Sequence, residues 1–258
     1  MYKILKTCLF DNNHLRYPKK IDNKFKDRMD TREQLMSLCL NARNLKFLNY
    51  LSFNFQKCFY LPPEPLQYFR NGIKAGHTLK YLSLKFTMNE GLSDKGILHL
   101  AKTIREMKRL ETLIVDFSQC AIISERGFAY FIKAISSIKF LKNLDLDFSC
   151  CKAMTDKVLD ASRKYLHRSH YLESLTIKLG NGTEISLYGI SSLGLLLKSL
   201  RSLKKIQIEL PGLGIVNAYA IGILNDGLKN IKNLHTLSLN FLSCSKLNEI
   251  SLISLLDN

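Results

Sequence analysis

The stretch Leu141–Cys151, LKNLDLDFSCC, sets two carboxylates, Asp145 and Asp147, just ahead of two adjacent thiols, Cys150 and Cys151. In isolation it offers an acid pair, a metal site or a redox site. Along the chain it is one copy among seven. LNYLSFNF begins at Leu48, LKYLSLKF at Leu79, LETLIVDF at Leu110 and LKNLDLDF at Leu141. LESLTIKL follows at Leu172, LKKIQIEL at Leu203 and LHTLSLNF at Leu234, each 31 residues after the last without an insertion or deletion. Such a fixed period is the signature of a repeat architecture.

Each copy continues in the same way. Counting the opening leucine as position one, position eleven is cysteine in four units (Cys58, Cys120, Cys151, Cys244), with Asn89, Gly182 and Leu213 in the others. Ser93, Ser124 and Thr155 then stand as helix N-caps, each followed by an acid suited to the helix dipole. The apolar period next changes from two to about 3.6, through Ile97, Leu100 and Ile104, Phe128, Phe131 and Ile135, and Ile221, Leu224 and Leu228. Each unit is a strand followed by an amphipathic helix. Stacked units bury what one unit cannot. Strands repeat at about 4.8 Å whereas helices are about 10 Å across, so the stack curves with its parallel sheet on the concave side.

The frame LxxLxLxF, a cysteine, then I/L-S/T-D/E-x-G and a helix resembles the leucine-rich repeat superfamily, most closely its ribonuclease-inhibitor-like subclass, over residues 31–258. The resemblance implies an α/β solenoid, a curved horseshoe of about seven repeats with helices on the convex face. It also implies binding rather than catalysis. The repeat is slightly longer than usual and its cysteine lies two positions later, so the turn after each strand should depart from the family pattern.

Residues 1–30 are expected to form a basic, loosely ordered, degenerate cap, because YPKKIDNKF is too polar to match the strand frame. Thr31–Gln34 resembles a capping box, and Leu35, Leu38, Ala42 and Leu45 continue it as a helix. The last repeat stops part-way through its helix at Asn258, leaving Leu252, Leu255 and Leu256 for a partner, a second copy or a continuation to cover.

The repeat disposes of most candidate chemistry. One thiol per turn cannot converge on zinc, which needs four ligands, and a small weakly polar side chain suits a buried ladder. His167 and His170 read as a solvated helix end. The glycines of LGNGTE and PGLG fall where every unit turns and lack the lysine of a nucleotide-binding loop. No catalytic residue, cofactor or metal is assigned, and the chain is expected not to be an enzyme. Seven cysteines without a CxxC pair, no signal-peptide run and no membrane-length stretch point to a cytoplasmic chain with reduced thiols, a nuclear one remaining open.

Strand alternation sends positions three, five and seven to the concave solvent. That ladder carries three lysines (Lys85, Lys178, Lys205) against four acids (Asp116, Asp145, Asp147, Glu209). With the chain at +16 and the ladder at -1, +17 lies elsewhere, on helix faces, the N-terminal segment and loops such as REMKR at 105–109. A concave clamp for nucleic acid would need clustered cations, so none is expected there. The candidate surface comprises Tyr50, Tyr81, Lys85, Ile114, Asp116, Asn143, Asp145, Asp147, Thr176, Lys178, Lys205, Gln207 and Glu209. Tyrosine anchors and mixed charge suit a protein partner with a basic centre. Two other readings remain: regulation of a small GTPase, as relatives in this repeat class perform, and association of the basic convex side with nucleic acid or an anionic membrane.

Overall fold

The computed structural model describes residues 20–24, 33, 48–58, 66–67, 69 and 78–247. Its strands are β1 (Lys20–Lys24), β2 (Tyr50–Asn54), β3 (Tyr81–Lys85), β4 (Thr112–Asp116), β5 (Asn143–Asp147), β6 (Ser174–Lys178), β7 (Lys205–Glu209) and β8 (Thr236–Asn240). Between them run α1 (Asp94–Glu106), α2 (Glu125–Ile135), α3 (Asp156–Leu166), α4 (Leu187–Ser199) and α5 (Ala218–Leu228). The strands form one parallel sheet in chain order. From β2 onward each residue pairs with the one 31 positions later, as Tyr50 does with Tyr81 and Asp116 with Asp147.

Residues 20–24 depart from expectation: they are a paired strand, not a loose cap, with Ile21 only 2% exposed. Lys20 pairs with Tyr50, an offset of 30 rather than 31. Ile21 thus takes the place of the position-four leucine, and Asn23 stands where other units carry an apolar residue. The shortened step and that asparagine hid the strand. The capping box and the apolar positions 35, 38, 42 and 45 lie outside the described residues, apart from Glu33, as do Leu252, Leu255 and Leu256.

The core lies between sheet and helices. Phe55, Phe86, Phe117 and Phe148 at position eight stack in sequence with centroids 5.2, 5.7 and 6.0 Å apart, and Phe128 and Phe131 of α2 meet this column edge-on or tilted. At the far edge the cover thins: Leu237 of β8 is 42% exposed, whereas its counterparts in earlier strands are buried.

The helix starts are tied across repeats. The cap hydroxyls of Ser93 and Thr155 bond no N–H of their own helix, while Ser124 accepts from Gly127. The acids after the caps reach forward instead. Asp94 accepts from the Ser124 backbone N–H and hydroxyl, Glu125 accepts from Thr155, and Asp156 accepts from the Ser186 N–H and hydroxyl. Each acid therefore joins one repeat to the next, beyond any favour to its own helix dipole.

The turn leaving each strand has a common backbone. Position ten has positive φ at Lys57, Met88, Gln119, Cys150, Gly212 and Ser243, and in the remaining unit the left-handed residue is Gly182. Position eleven then turns inward. The thiols of Cys120, Cys151 and Cys244 donate to the carbonyls of Phe86, Phe117 and Leu210 in the preceding repeat, at 3.2, 3.0 and 3.2 Å. The ladder is more than filler, because each of these thiols gives a second hydrogen bond to a carbonyl that already accepts the backbone N–H three residues on. Asn89 in the same place leaves its buried amide nitrogen without a partner among the described residues.

Candidate functional site

Alternation along the strands and exact register between them set the concave side chains in three rows. Position three begins with Tyr50 and Tyr81, whose rings stack at 4.2 Å and 8°, with the Lys20 ammonium 4.4 Å from the Tyr50 centroid. Position five brings Ser83, Ile114, Asp145, Thr176 and Gln207 side by side. Position seven runs Lys85, Asp116, Asp147, Lys178 and Glu209.

These rows enclose a cavity of about 500 Å³. Eight candidates from the sequence line it: Tyr50, Tyr81, Lys85, Ile114, Asp116, Asp145, Asp147 and Lys178. Asn143, Thr176, Lys205, Gln207 and Glu209 share the face but lie outside the cavity. Thr176 is only 7% exposed and Ser83 only 5%, so not every outward position reaches solvent. Asp22, Asn23 and Lys24 of β1 join the wall, as do Ser52, Asn54 and Ser83. The β1 residues escaped the sequence reading because their strand did; within KIDNKF, Ile21 and Phe25 alone kept the frame, at positions four and eight counted with an offset of 30.

Asp116, Asp145 and Asp147 are not equivalent. Asp116 accepts from the Thr87 hydroxyl at 2.5 Å and from the Ser118 backbone and hydroxyl at 2.8 and 2.5 Å. Asp147 accepts from the Ser149 N–H at 2.9 Å, and Asn54 and Asn240 make the same turn contact two residues on. Position seven thus helps close the strand-exit turn. Asp145 accepts a hydrogen bond from no described residue.

Burial raises the pKa of both Asp145 and Asp147 above the ordinary aspartate value. At Asp145 the nearby Lys178 opposes the rise and Asp147 adds to it, while at Asp147 the bonds from Ser149 oppose it. For Lys178, burial disfavours the ammonium, but Glu209 at 3.2 Å and the two aspartates outweigh that and raise its pKa. Burial, then the contact with Tyr50, pushes the Tyr81 phenol up to about 12. A half-desolvated carboxylate that accepts no hydrogen bond from the described residues, in the same cavity as a stacked aromatic pair that begins two strands away, is arranged to receive a cationic side chain.

The paired thiols of the opening stretch part company: Cys151 is buried and Cys150 exposed. Burial pushes the Cys120 and Cys151 thiols up to about 12, which keeps them protonated at neutral pH. His167 and His170 are exposed at the end of α3, with the His167 ring against the Lys164 carbonyl and Arg168. Among the described residues no helix is long and apolar enough to cross a membrane.

No protein-family profile matches the chain, nor does any curated protein. Among solved structures, Rad7 in the crystal structure of the Rad7 and Elc1 complex in yeast is similar. Its TM-score is 0.52 at 16% identity, over 92% of this chain and 60% of that one. This chain therefore spans less than two thirds of the length of that relative. Leiomodin-1 actin-binding site 2 aligns with a TM-score of 0.46 at 12% identity, over 65% of this chain and 87% of that one. At such identity the first likeness speaks to fold alone. Together with the sheet topology, it marks the chain as a curved α/β solenoid of the leucine-rich-repeat kind.

Proposed function

We propose that the chain is a non-enzymatic scaffold, of the ribonuclease-inhibitor-like kind, whose concave face binds a protein partner through a basic group on the partner. The observation that carries this reading is Asp145, half-buried, shifted toward the neutral form by burial, and supplied with no hydrogen-bond donor by the described residues. A lysine or arginine from a partner would restore what burial removed, and the Tyr81 ring, two strands away in the same cavity, would take a neighbouring side chain of that partner. Lys85 and Lys178 on either side favour a basic centre with acidic surroundings, which makes the site selective. Protonated buried thiols offer no nucleophile. Rad7, the fold neighbour, is in complex with Elc1 in its structure, in keeping with this use of the fold.

The test compares proteins captured from nuclease-treated lysate by the unaltered chain and by the Asp145→Lys, Asp147→Lys variant. A discrete set should bind the first and be lost from the second. Identical captured sets would refute the reading.

A further inference from the structure

The rim where helices hand over to strands carries a second pattern, independent of the concave cavity. Position thirty of the repeat lies in the turn just before each strand, and it is basic in each of the five described units: Lys108, Lys139, His170, Arg201 and Lys232. All five are exposed. Among the described residues none of these lysines, nor Arg201, is held in an ion pair.

The neighbouring row explains why this charge stands unbalanced. Position two alternates Lys80, Glu111, Lys142, Glu173 and Lys204. Glu111 bridges Lys80 and Lys142 at 2.8 and 2.9 Å, and Glu173 binds Lys204 at 3.0 Å. Glu111 and Glu173 are thus occupied by the row's own lysines, Glu106 at the end of α1 is a single further acid on this edge, and the position-thirty cations have no counter-row. Arg105, Arg168 and Lys198 at the helix ends add to the same edge. Helix-end cations satisfy the dipole, but position thirty lies past the helices and has no such duty. The opposite rim differs, since Glu90, Asp94, Glu125, Asp156 and Glu184 interrupt its lysines.

Within the basic row sit two exposed rings. Phe140 and Tyr171, at position thirty-one of adjacent repeats, are 48% and 56% exposed, and their centroids are 5.7 Å apart at 49°. Neither packs into the core. A row of cations advancing one repeat at a time, with aromatic faces open at its middle, has the two components of single-strand recognition: phosphate neutralisation along a track and base stacking on rings. A membrane surface would call for a broad apolar face to enter the lipid boundary, whereas the rings here are two among charged neighbours.

We infer that this rim binds single-stranded nucleic acid, with Lys108, Lys139, Arg201 and Lys232 on its phosphates and Phe140 and Tyr171 under its bases. The charge thus acts from the helix-to-strand edge, not from the convex helix faces.

Binding of the full chain to labelled 20-nucleotide oligothymidylate and oligouridylate tests this, with the stronger of the two distinguishing DNA from RNA. Three exposed rim cations are reversed together (Lys108→Glu, Lys139→Glu, Arg201→Glu). A matched set on the opposite rim (Lys57→Glu, Arg126→Glu, Lys152→Glu) removes the same net charge. The rim set should lose roughly a hundredfold or more in affinity and flatten the salt dependence, while the matched set stays within about threefold at physiological salt. Phe140→Ser and Tyr171→Ser should each cost roughly tenfold and leave the salt slope unchanged. All eight positions are exposed, and thermal melting confirms that each variant is folded. Equal losses from both sets, indifference to the ring substitutions, or binding to phosphatidylserine vesicles without binding to either oligonucleotide would each overturn the inference.

Discussion

The concave face and the helix-to-strand rim are built by the same repeat, a few positions apart, and they are opposite in character. The concave face holds half-buried carboxylates whose charge is disfavoured by burial. The rim holds exposed cations whose neighbouring acids are already occupied. A solenoid permits this because each position of the repeat forms its own row, so that changing one position repeatedly changes one surface and leaves its neighbours alone. The sum of +16 therefore describes neither surface.

The contrast is open to attack at several points. The largest effect should follow Asp145→Lys with Asp147→Lys: removing a desolvated charge pairing costs about 2–5 kcal/mol, so partner affinity should fall at least roughly thirtyfold in a pull-down titration, while oligonucleotide binding is retained. Equal weakening of both ligands would erase the distinction between the surfaces. Tyr81→Ala removes half of the aromatic platform and should cost about tenfold in partner affinity, again sparing the rim.

Cys151→Ala probes the scaffold beneath both surfaces. Loss of the bond to the Phe117 carbonyl and of the packed sulfur should cost about 1–2 kcal/mol, a fall of roughly 4 °C in melting temperature, with both binding activities intact in the folded protein.

The smallest effect carries the sharpest sign. Burial raises the Asp145 and Asp147 pKa values, so between the ordinary aspartate pKa and the raised one the folded chain holds protons that the unfolded chain has released. These carboxylates therefore oppose folding at neutral pH, and the penalty fades as pH falls through the raised values. Asp145→Asn should raise the melting temperature at pH 7 by about 2 °C while lowering partner affinity, and capture by the unaltered chain should weaken as pH drops from 7 toward 5. A melting temperature lowered by Asp145→Asn would mean that the carboxylate serves the fold.

The strands, their register and the core leucines were legible in the 31-residue period, because one slipped residue would send a whole strand's apolar set to solvent. The period failed at β1, where one step is 30 residues and Asn23 takes an apolar place. It also missed the reach of Asp94, Glu125 and Asp156 to the next repeat's cap, since such contacts span about one full unit. Most of the concave surface could be read from alternation, but the burial of Ser83 and Thr176 could not, because alternation fixes the direction of a side chain and not how far it reaches among its neighbours. The rim row stayed hidden because reading along the helices credits each basic residue to its own helix end. Only the stacked structure shows that they share one edge and that Glu111 and Glu173 are already engaged.

Photochemical cross-linking tests most directly which face meets the protein partner. Benzoylphenylalanine would be placed at Ile114, inside the concave cavity, and separately at Tyr130, exposed on α2. Covalent adducts with the captured partner are expected from the concave position alone. Adducts from Tyr130 in equal or greater yield would place the partner on the convex side instead.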